Sequence, residues 1–289
     1  MPRHYSDEQE RRTIKRKVER ARRTHTKRAY LLLTLLVVLV GVAVAYNNSA
    51  HKFSNPQNPE KSYVVLKASF HTHTTVSDGN FTPTKVVEIY AKAGYDCIAI
   101  TDHGNVAGVP EAKSAGKKFG VIVIAGQEIS PDFPDGSPMH IVALWVNVPI
   151  PIGYDNPKPY FDIIHSYGGI GIVAHPWIIA NWYSTYDWTK SPWYPYRNAK
   201  WIDGWEMSFE YKTSVFDSLS NSGYFLVLNH DFHKGAVPTD RYTILFAHNR
   251  TEDGVREALL SRRNVMHYQG NVYGTQYAIE LFNKHVGGH

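Results

Sequence analysis

A single cysteine, Cys97, is all that 289 residues provide. An internal disulfide framework is therefore impossible, and a cysteine-rich zinc site is excluded. Cys97 lies in the apolar run Cys97-Ile98-Ala99-Ile100 and reads as a small buried hydrophobe. The body of the chain also lacks an excess of positive charge. The formal net charge is +5, but residues 1–28 hold eleven Lys and Arg against four Asp and Glu. What remains is twenty basic and twenty-two acidic residues, a net of −2. A domain that grips long polyanions carries its own basic face, so no specific nucleic-acid binding is expected. Bulk disorder is excluded too, because 43% of the residues are hydrophobic and 20% charged, as in ordinary globular proteins.

Long apolar runs are scarce; the one at Ala29–Tyr46 holds no charged residue. A helix rising about 1.5 Å per residue needs roughly 20 residues to cross a hydrocarbon core of about 30 Å. The run is slightly short, but Tyr30 and Tyr46 near its ends suit the interface. A cleaved signal peptide is the main alternative, since Ala43-Val44-Ala45 has the small-residue pattern of a cleavage site. The long basic block before the run favours an uncleaved anchor and predicts a cytoplasmic amino terminus. The expected organisation is a basic cytoplasmic tail (1–28), a transmembrane signal-anchor (29–46), a polar linker (47–61) and an extracytoplasmic domain (62–283). The triplets Asn47-Asn48-Ser49, Asn80-Phe81-Thr82 and Asn249-Arg250-Thr251 fit the glycosylation pattern and are compatible with export.

Beyond the linker, strand-like and helix-like stretches alternate. Apolar runs at 63–66, 96–101, 121–125, 139–145, 169–174, 201–205, 224–228 and 241–246 read as strands. Helices are expected from Pro83 to Gly94, over 109–119, near 159–167 and from Thr251, the first with proline at a first-turn position. Repeated β-then-α units with continuous apolar strands predict an α/β fold with a parallel sheet covered by helices. In a β/α barrel the strand ends form the rim where active sites are built.

Those strand ends carry the chemistry. The first runs into His71-Thr72-His73, whose alternate side chains project the same way, followed by Asp78 in a Ser-Asp-Gly turn. Others deliver Asp102-His103, Glu128, His175-Pro176, Glu206 and Asp231-Phe232-His233, and His140 opens the run at 139–145. Six of the fifteen histidines thus sit at strand ends or starts beside carboxylates. Singly, each has an ordinary reading as a turn, cap or core residue. Together they imply a compensating ion, because burying so many polar and charged groups without one is costly. The other nine histidines, His230 among them, read as incidental.

His71-x-His73 with Asp78-Gly79, Thr101-Asp102-His103, Gly126-x-Glu128, His140-Ile141-Val142, Ala174-His175-Pro176 and Asp231-x-His233 occur in the order typical of the PHP (polymerase and histidinol phosphatase) family, which the chain resembles from about residue 66 to 250. The resemblance implies a distorted (β/α)7-type barrel, here preceded by one transmembrane helix, holding two or three divalent metals and hydrolysing phosphoesters. It also implies an allocation: one metal on His71, His73, Glu128 and Asp231; a second sharing Glu128 with His140 and His175; a third on Asp78, His103 and His233. Imidazole mixed with carboxylate suits Zn, Mn or Fe. Asp102 is expected to orient the ligands, and Glu206 to handle a proton or to orient. Trp177 stands where many relatives have an arginine, so Arg197, Lys234 and Arg241 are the candidates for holding phosphate. Residues 177–201 carry five of the seven tryptophans, as a lid or a binding surface for an apolar or stacked group of the substrate, or as a packed insertion or membrane-facing patch. The expected activity is hydrolysis of a small phosphomonoester or phosphodiester, through water activated between the cations. The alternatives are an amidohydrolase-like attack on a C–N or carboxylic ester bond, and a non-catalytic surface protein stabilised by metal.

Overall fold

The apolar run leading to the His71 motif forms strand β1, Val64–Ser69. A computed structural model describes residues 62–176, 188–207, 213–220 and 222–287. The expected tail, signal-anchor and linker, residues 1–61, lie outside the described residues, as do 177–187 of the aromatic stretch. Among the described residues no helix is long and apolar enough to cross a membrane.

The expected β-then-α alternation is present. After β1 come α1 (Pro83–Lys92), β2 (Cys97–Ile100), α2 (Val109–Phe119), β3 (Ile122–Ile129), β4 (Ile141–Leu144), α3 (Lys158–Ser166), β5 (Ile170–Val173) and β6 (Gly204–Glu206). Then follow α4 (Thr213–Ser220), β7 (Phe225–Val227), β8 (Arg241–Ala247), α5 (Glu252–Leu260), β9 (Asn264–Tyr268), β10 (Asn271–Gly274) and α6 (Gln276–His285). Local chemistry sets the boundaries. The Thr82 hydroxyl caps α1 by accepting from the Lys85 amide, with proline in the first turn, and Gly120 ends α2 at φ 74°.

All ten strands lie in one sheet, ordered β10-β9-β8-β1-β2-β3-β4-β5-β6-β7. It is not wholly parallel. β1–β2–β3 and β5–β6–β7 are parallel, whereas β4 runs antiparallel to both neighbours and β8 antiparallel to β1. The connection from β3 to β4 holds no helix, so it cannot make the crossover that a parallel pair requires. Helices α4 and α6 and the β9–β10 hairpin were not expected either. The sheet curls until β7 meets β8 and β9 through side chains. Thr243 Oγ1 accepts from the Leu228 amide at 2.9 Å and donates to its carbonyl at 3.1 Å, while Asn264 Nδ2 donates to Leu226 O at 2.6 Å. The result is a distorted barrel.

Inside, Leu66, Ile124, Leu144 and Phe225 pack with Val255, Ala258 and Leu259 of α5. Cys97 is fully buried in the same cluster, and burial pushes its thiol pKa up, as an inert hydrophobe requires. The motifs gather at one rim. β1, β2, β5 and β7 deliver theirs at their carboxyl ends, and Glu206 is the last residue of β6. Because β4 is reversed, His140, just before it, joins the same rim. Trp188, opening a short 3₁₀ turn (Trp188–Lys190), and Trp193, just before a second (Tyr194–Tyr196), are buried edge-on against Trp205 at 5.8 and 6.0 Å. The described part of the aromatic stretch is therefore packed core rather than a lid.

Candidate metal centre

His71 and His73 leave β1 in extended backbone, so both rings face the barrel mouth, and both are fully buried. His71 Nδ1 stands 2.9 Å from Glu206 Oε2. A carboxylate only accepts, so the proton sits on Nδ1 and the Nε2 lone pair points into the barrel. There Nε2 lies 3.2 Å from Glu128 Oε2 and 3.2 Å from Asp231 Oδ1. His73 Nε2 faces the same two oxygens at 3.3 and 3.1 Å. His71 Nε2, His73 Nε2 and Asp231 Oδ1 are buried and none has a hydrogen-bond partner: they converge on a point, not on one another.

Glu128, 1% exposed, looks both ways. Its Oε2 serves the His71–His73 group and lies 3.2 Å from His103 Nδ1. Its Oε1 lies 3.0 Å from His140 Nδ1 and 3.0 Å from His175 Nε2. A third group opens toward solvent. Asp78 Oδ2 is 3.2 Å from His233 Nε2 and 3.5 Å from His103 Nε2, and His73 Nδ1 is 3.6 Å from Asp78 Oδ1. His233 Nδ1 donates to the Asp231 carbonyl at 2.8 Å, and His103 Nδ1 bonds Ser130 Oγ at 2.6 Å. Three donor sets result, each within 4.8 Å: His71, His73, Glu128, Asp231; Glu128, His140, His175; and His73, Asp78, His103, His233. The structure thus brings together all nine side chains singled out in the sequence, and adds His73 to the third set.

The donor sets fit divalent cations. Four N and O donors at roughly 2.0–2.2 Å from an ion stand little more than 3 Å apart, as the first set does. Electrostatics agrees. Burial opposes protonation of His71, yet Glu128, Asp231 and Glu206 together raise its pKa well above the ordinary value. His73 and His175 are raised against the same burial, by Asp231 and Glu128 and by Glu128 respectively. Burial likewise opposes ionisation of Glu128, but the imidazoles hold it well below the carboxylate range, with His71 foremost; Asp231 is lowered in the same way by His71 and His73. The cluster draws positive charge to itself, which is what an ion supplies. Two of the nine positions are strained. His175 and Asp231 have φ of 27° and 47°, a region that side-chain-bearing residues rarely adopt.

Asp102 does not face the cluster. Its carboxylate accepts from Thr74 N at 2.7 Å, Thr74 Oγ1 at 2.8 Å and Ser77 Oγ at 2.8 Å, which shapes the turn carrying Asp78. Asp102 is thus placed to shape that turn, and Glu206 to orient the His71 ring. Of the phosphate candidates, Arg197 stacks on Tyr194 at 4.0 Å and donates to its carbonyl, and Arg241 lies over Tyr268 at 5.4 Å and 3.5 Å from Asp240. Neither lines the cavity at the site. Lys234 does: a cavity of about 540 Å³ opens beside Asp78, Asp231 and His233, walled also by Asn80 and His230. The roles of Thr74, Ser77, Ser130 and Asn229 escaped the sequence reading. The first three are short hydroxyl residues inside or beside the motifs, and that adjacency is the available signal.

The family model for the PHP domain matches residues 69–168. An uncharacterized protein of Methanocaldococcus jannaschii is 33% identical over 123 residues, 39% of this chain and 68% of that protein. The chain belongs to the PHP family. As a PHP domain it is a metal-dependent hydrolase of the phosphoester-cleaving type. The matched stretch carries His71 through His140; His175, Glu206, Asp231 and His233 lie beyond it. A 5'-3' exoribonuclease of Haemophilus influenzae is 40% identical over 81 residues, which are 28% of this chain and 29% of that protein. Among solved structures, a two-domain protein of Bacteroides vulgatus containing a predicted PHP-like metal-dependent phosphoesterase superposes with a TM-score of 0.63. The sequences are 22% identical, over 77% of this chain and 70% of that one, which shows a shared fold.

Proposed function

We propose that this PHP chain hydrolyses a small phosphomonoester or phosphodiester, using two or three divalent ions (Zn, Mn or Fe), and that residues 29–46 anchor it in a membrane with the domain on the extracytoplasmic side. The observation that carries the enzymatic reading is Glu128. Its two oxygens divide two imidazole groups between them, the arrangement a carboxylate shared by neighbouring ions needs. Ions held there polarise phosphoryl oxygens and acidify water.

The chain's own residues prepare the site. Glu206 keeps the proton on His71 Nδ1 and the Asp231 carbonyl keeps the one on His233 Nδ1, so Nε2 of each ring is free to ligate. Asp102 holds the Asp78 turn. Ser77 Oγ is committed to Asp102 and Ser130 Oγ to His103; in this reading the attacking group is water. Lys234 on the cavity wall supplies a cation for an anionic substrate, and a volume of about 540 Å³ falls within the roughly 300–1,000 Å³ of small-molecule sites.

The exoribonuclease relative makes a nucleotide-containing phosphodiester a natural member of the substrate panel. A net charge of −2 beyond residue 28 favours short substrates over long polyanions. The deciding experiment presents metal-reconstituted protein with p-nitrophenyl phosphate, its bis-ester, a dinucleotide and an acyl ester. Hydrolysis of a phosphoester that is abolished by a chelator supports the reading; cleavage of the acyl ester alone sinks it. Protease protection of a carboxyl-terminal tag in membrane vesicles tests the orientation.

A further inference from the structure

His230, read from sequence as incidental, is built into the fold beside Asp231. We propose that His230 is a positioning residue for the inner ion site: it holds the strained Asp231 turn so that Oδ1 stays between His71 and His73. This rests on the metal-site reading above.

Asp231 sits at φ 47°, a conformation in which a Cβ crowds the following carbonyl oxygen, so something must hold it. The chain around it is tied to β8 at Leu228, through Thr243 Oγ1, to Asn80 at His233, and to the continuation of β1 between them. His73 N donates to Phe232 O at 2.8 Å, and Phe70 N donates to Asn229 Oδ1 at 2.7 Å, both from the continuation of β1. His230 supplies the β8-side tie adjacent to Asp231. Its Nε2 lies 2.7 Å from the carbonyl oxygen of Arg241, the first residue of β8. A carbonyl can only accept, so Nε2 carries the hydrogen. Nδ1 is then an acceptor, and it faces the Tyr90 hydroxyl of α1 at 3.4 Å. The Tyr95 hydroxyl, 3.2 Å from Nε2, reaches Pro238 O and Arg241 O in turn. The ring is wedged between Tyr90 and Tyr95, with centroids 6.1 and 5.7 Å away. Asp231 is therefore clamped from both flanks, and Oδ1 lands 3.2 and 3.1 Å from the two Nε2 atoms. A small residue at 230 would remove the β8-side tie next to Asp231 and leave only the one at Leu228, three residues away.

The test titrates detergent-solubilised, metal-stripped full-length chain with Co²⁺, followed by visible absorption, and with Zn²⁺ by calorimetry. Wild type is compared with His230→Ala and His230→Gln; the Gln amide nitrogen reaches the place of Nε2 and can donate to Arg241 O. We expect the alanine variant to lose about 10–100-fold in affinity at one site with an altered Co²⁺ spectrum. The glutamine variant should recover most of both. Should the alanine variant not fold, His230→Asn, whose amide reaches only the Nδ1 place, takes its part. Unchanged binding in the alanine variant overturns the proposal, as does a folded glutamine variant no better than alanine. Wild-type protein that takes up Co²⁺ but cleaves no phosphoester leaves the His230 assignment intact and sinks the proposed activity. Wild type that takes up no divalent ion sinks both.

Discussion

Glu206 Oε2 stands 2.9 Å from His71 Nδ1, with both side chains buried. The contact fixes the tautomer of an imidazole whose other nitrogen faces both Glu128 and Asp231. Glu206→Gln keeps the shape but removes the charge that raises the basicity of His71. We expect the affinity of the inner site for Zn²⁺ or Mn²⁺ to fall about 10–100-fold, read by calorimetry on metal-stripped protein. An isotherm identical to wild type would strip Glu206 of this role.

Asp102 accepts three hydrogen bonds from Thr74 and Ser77 while fully buried. Asn offers one acceptor oxygen and turns a donor toward the remaining donors. Asp102→Asn should cost about 1–3 kcal/mol, seen as a lower urea midpoint at unchanged m-value, and should weaken ion occupancy at Asp78. A midpoint equal to wild type contradicts this.

A methyl group at Gly79 would sit 2.5 Å from His73 O and 2.7 Å from Thr74 N, both backbone atoms with no room to yield. His73 contributes to two of the three donor sets. Gly79→Ala should therefore destabilise the fold by roughly 1–3 kcal/mol and lower occupancy at both sets together. Loss at one set alone would show that the His73 ring is not shared.

Protons and metal compete for the same atoms, and the competition has a sign. In chelator-treated protein the raised pKa values of His71, His73 and His175 contribute stability below the ordinary histidine value of about 6.5, and that contribution is lost as the pH rises through the folded values. The lowered pKa values of Glu128 and Asp231 contribute above the ordinary carboxylate range of about 4, and their contribution is lost as the pH falls. Stripped protein should be most stable between those limits, with a thermal midpoint that declines toward pH 8.5. Added Zn²⁺ or Mn²⁺ should raise the midpoint more at pH 8 than at pH 5.5, because the ligands must shed protons to bind. A metal-induced shift that shrinks with rising pH would contradict the assignment.

The histidines and carboxylates at the strand ends could be read from the sequence because their spacing tracks where apolar runs stop, and a barrel turns that into a common rim. The direction of β4 could not be read, since Ile141-Val142-Ala143-Leu144 looks the same whichever way it runs. His140 reaches the rim only because the strand is reversed. Trp188 and Trp193 were ambiguous for a similar reason: an aromatic residue does not announce whether it faces a core or a ligand, and here Trp205 takes both. His230 was hidden because its partners, Arg241 O and the Tyr90 hydroxyl, are distant in sequence, and one of them is main chain.

Exposure is uneven across the cluster, from fully buried His71 and His73 through His140 at 21% and Asp231 at 36% to Asp78 at 54%. That unevenness gives the centre a front and a back. The Asp78 side is the most open, so an ion seated there would trade places with solvent faster than one lodged behind His73.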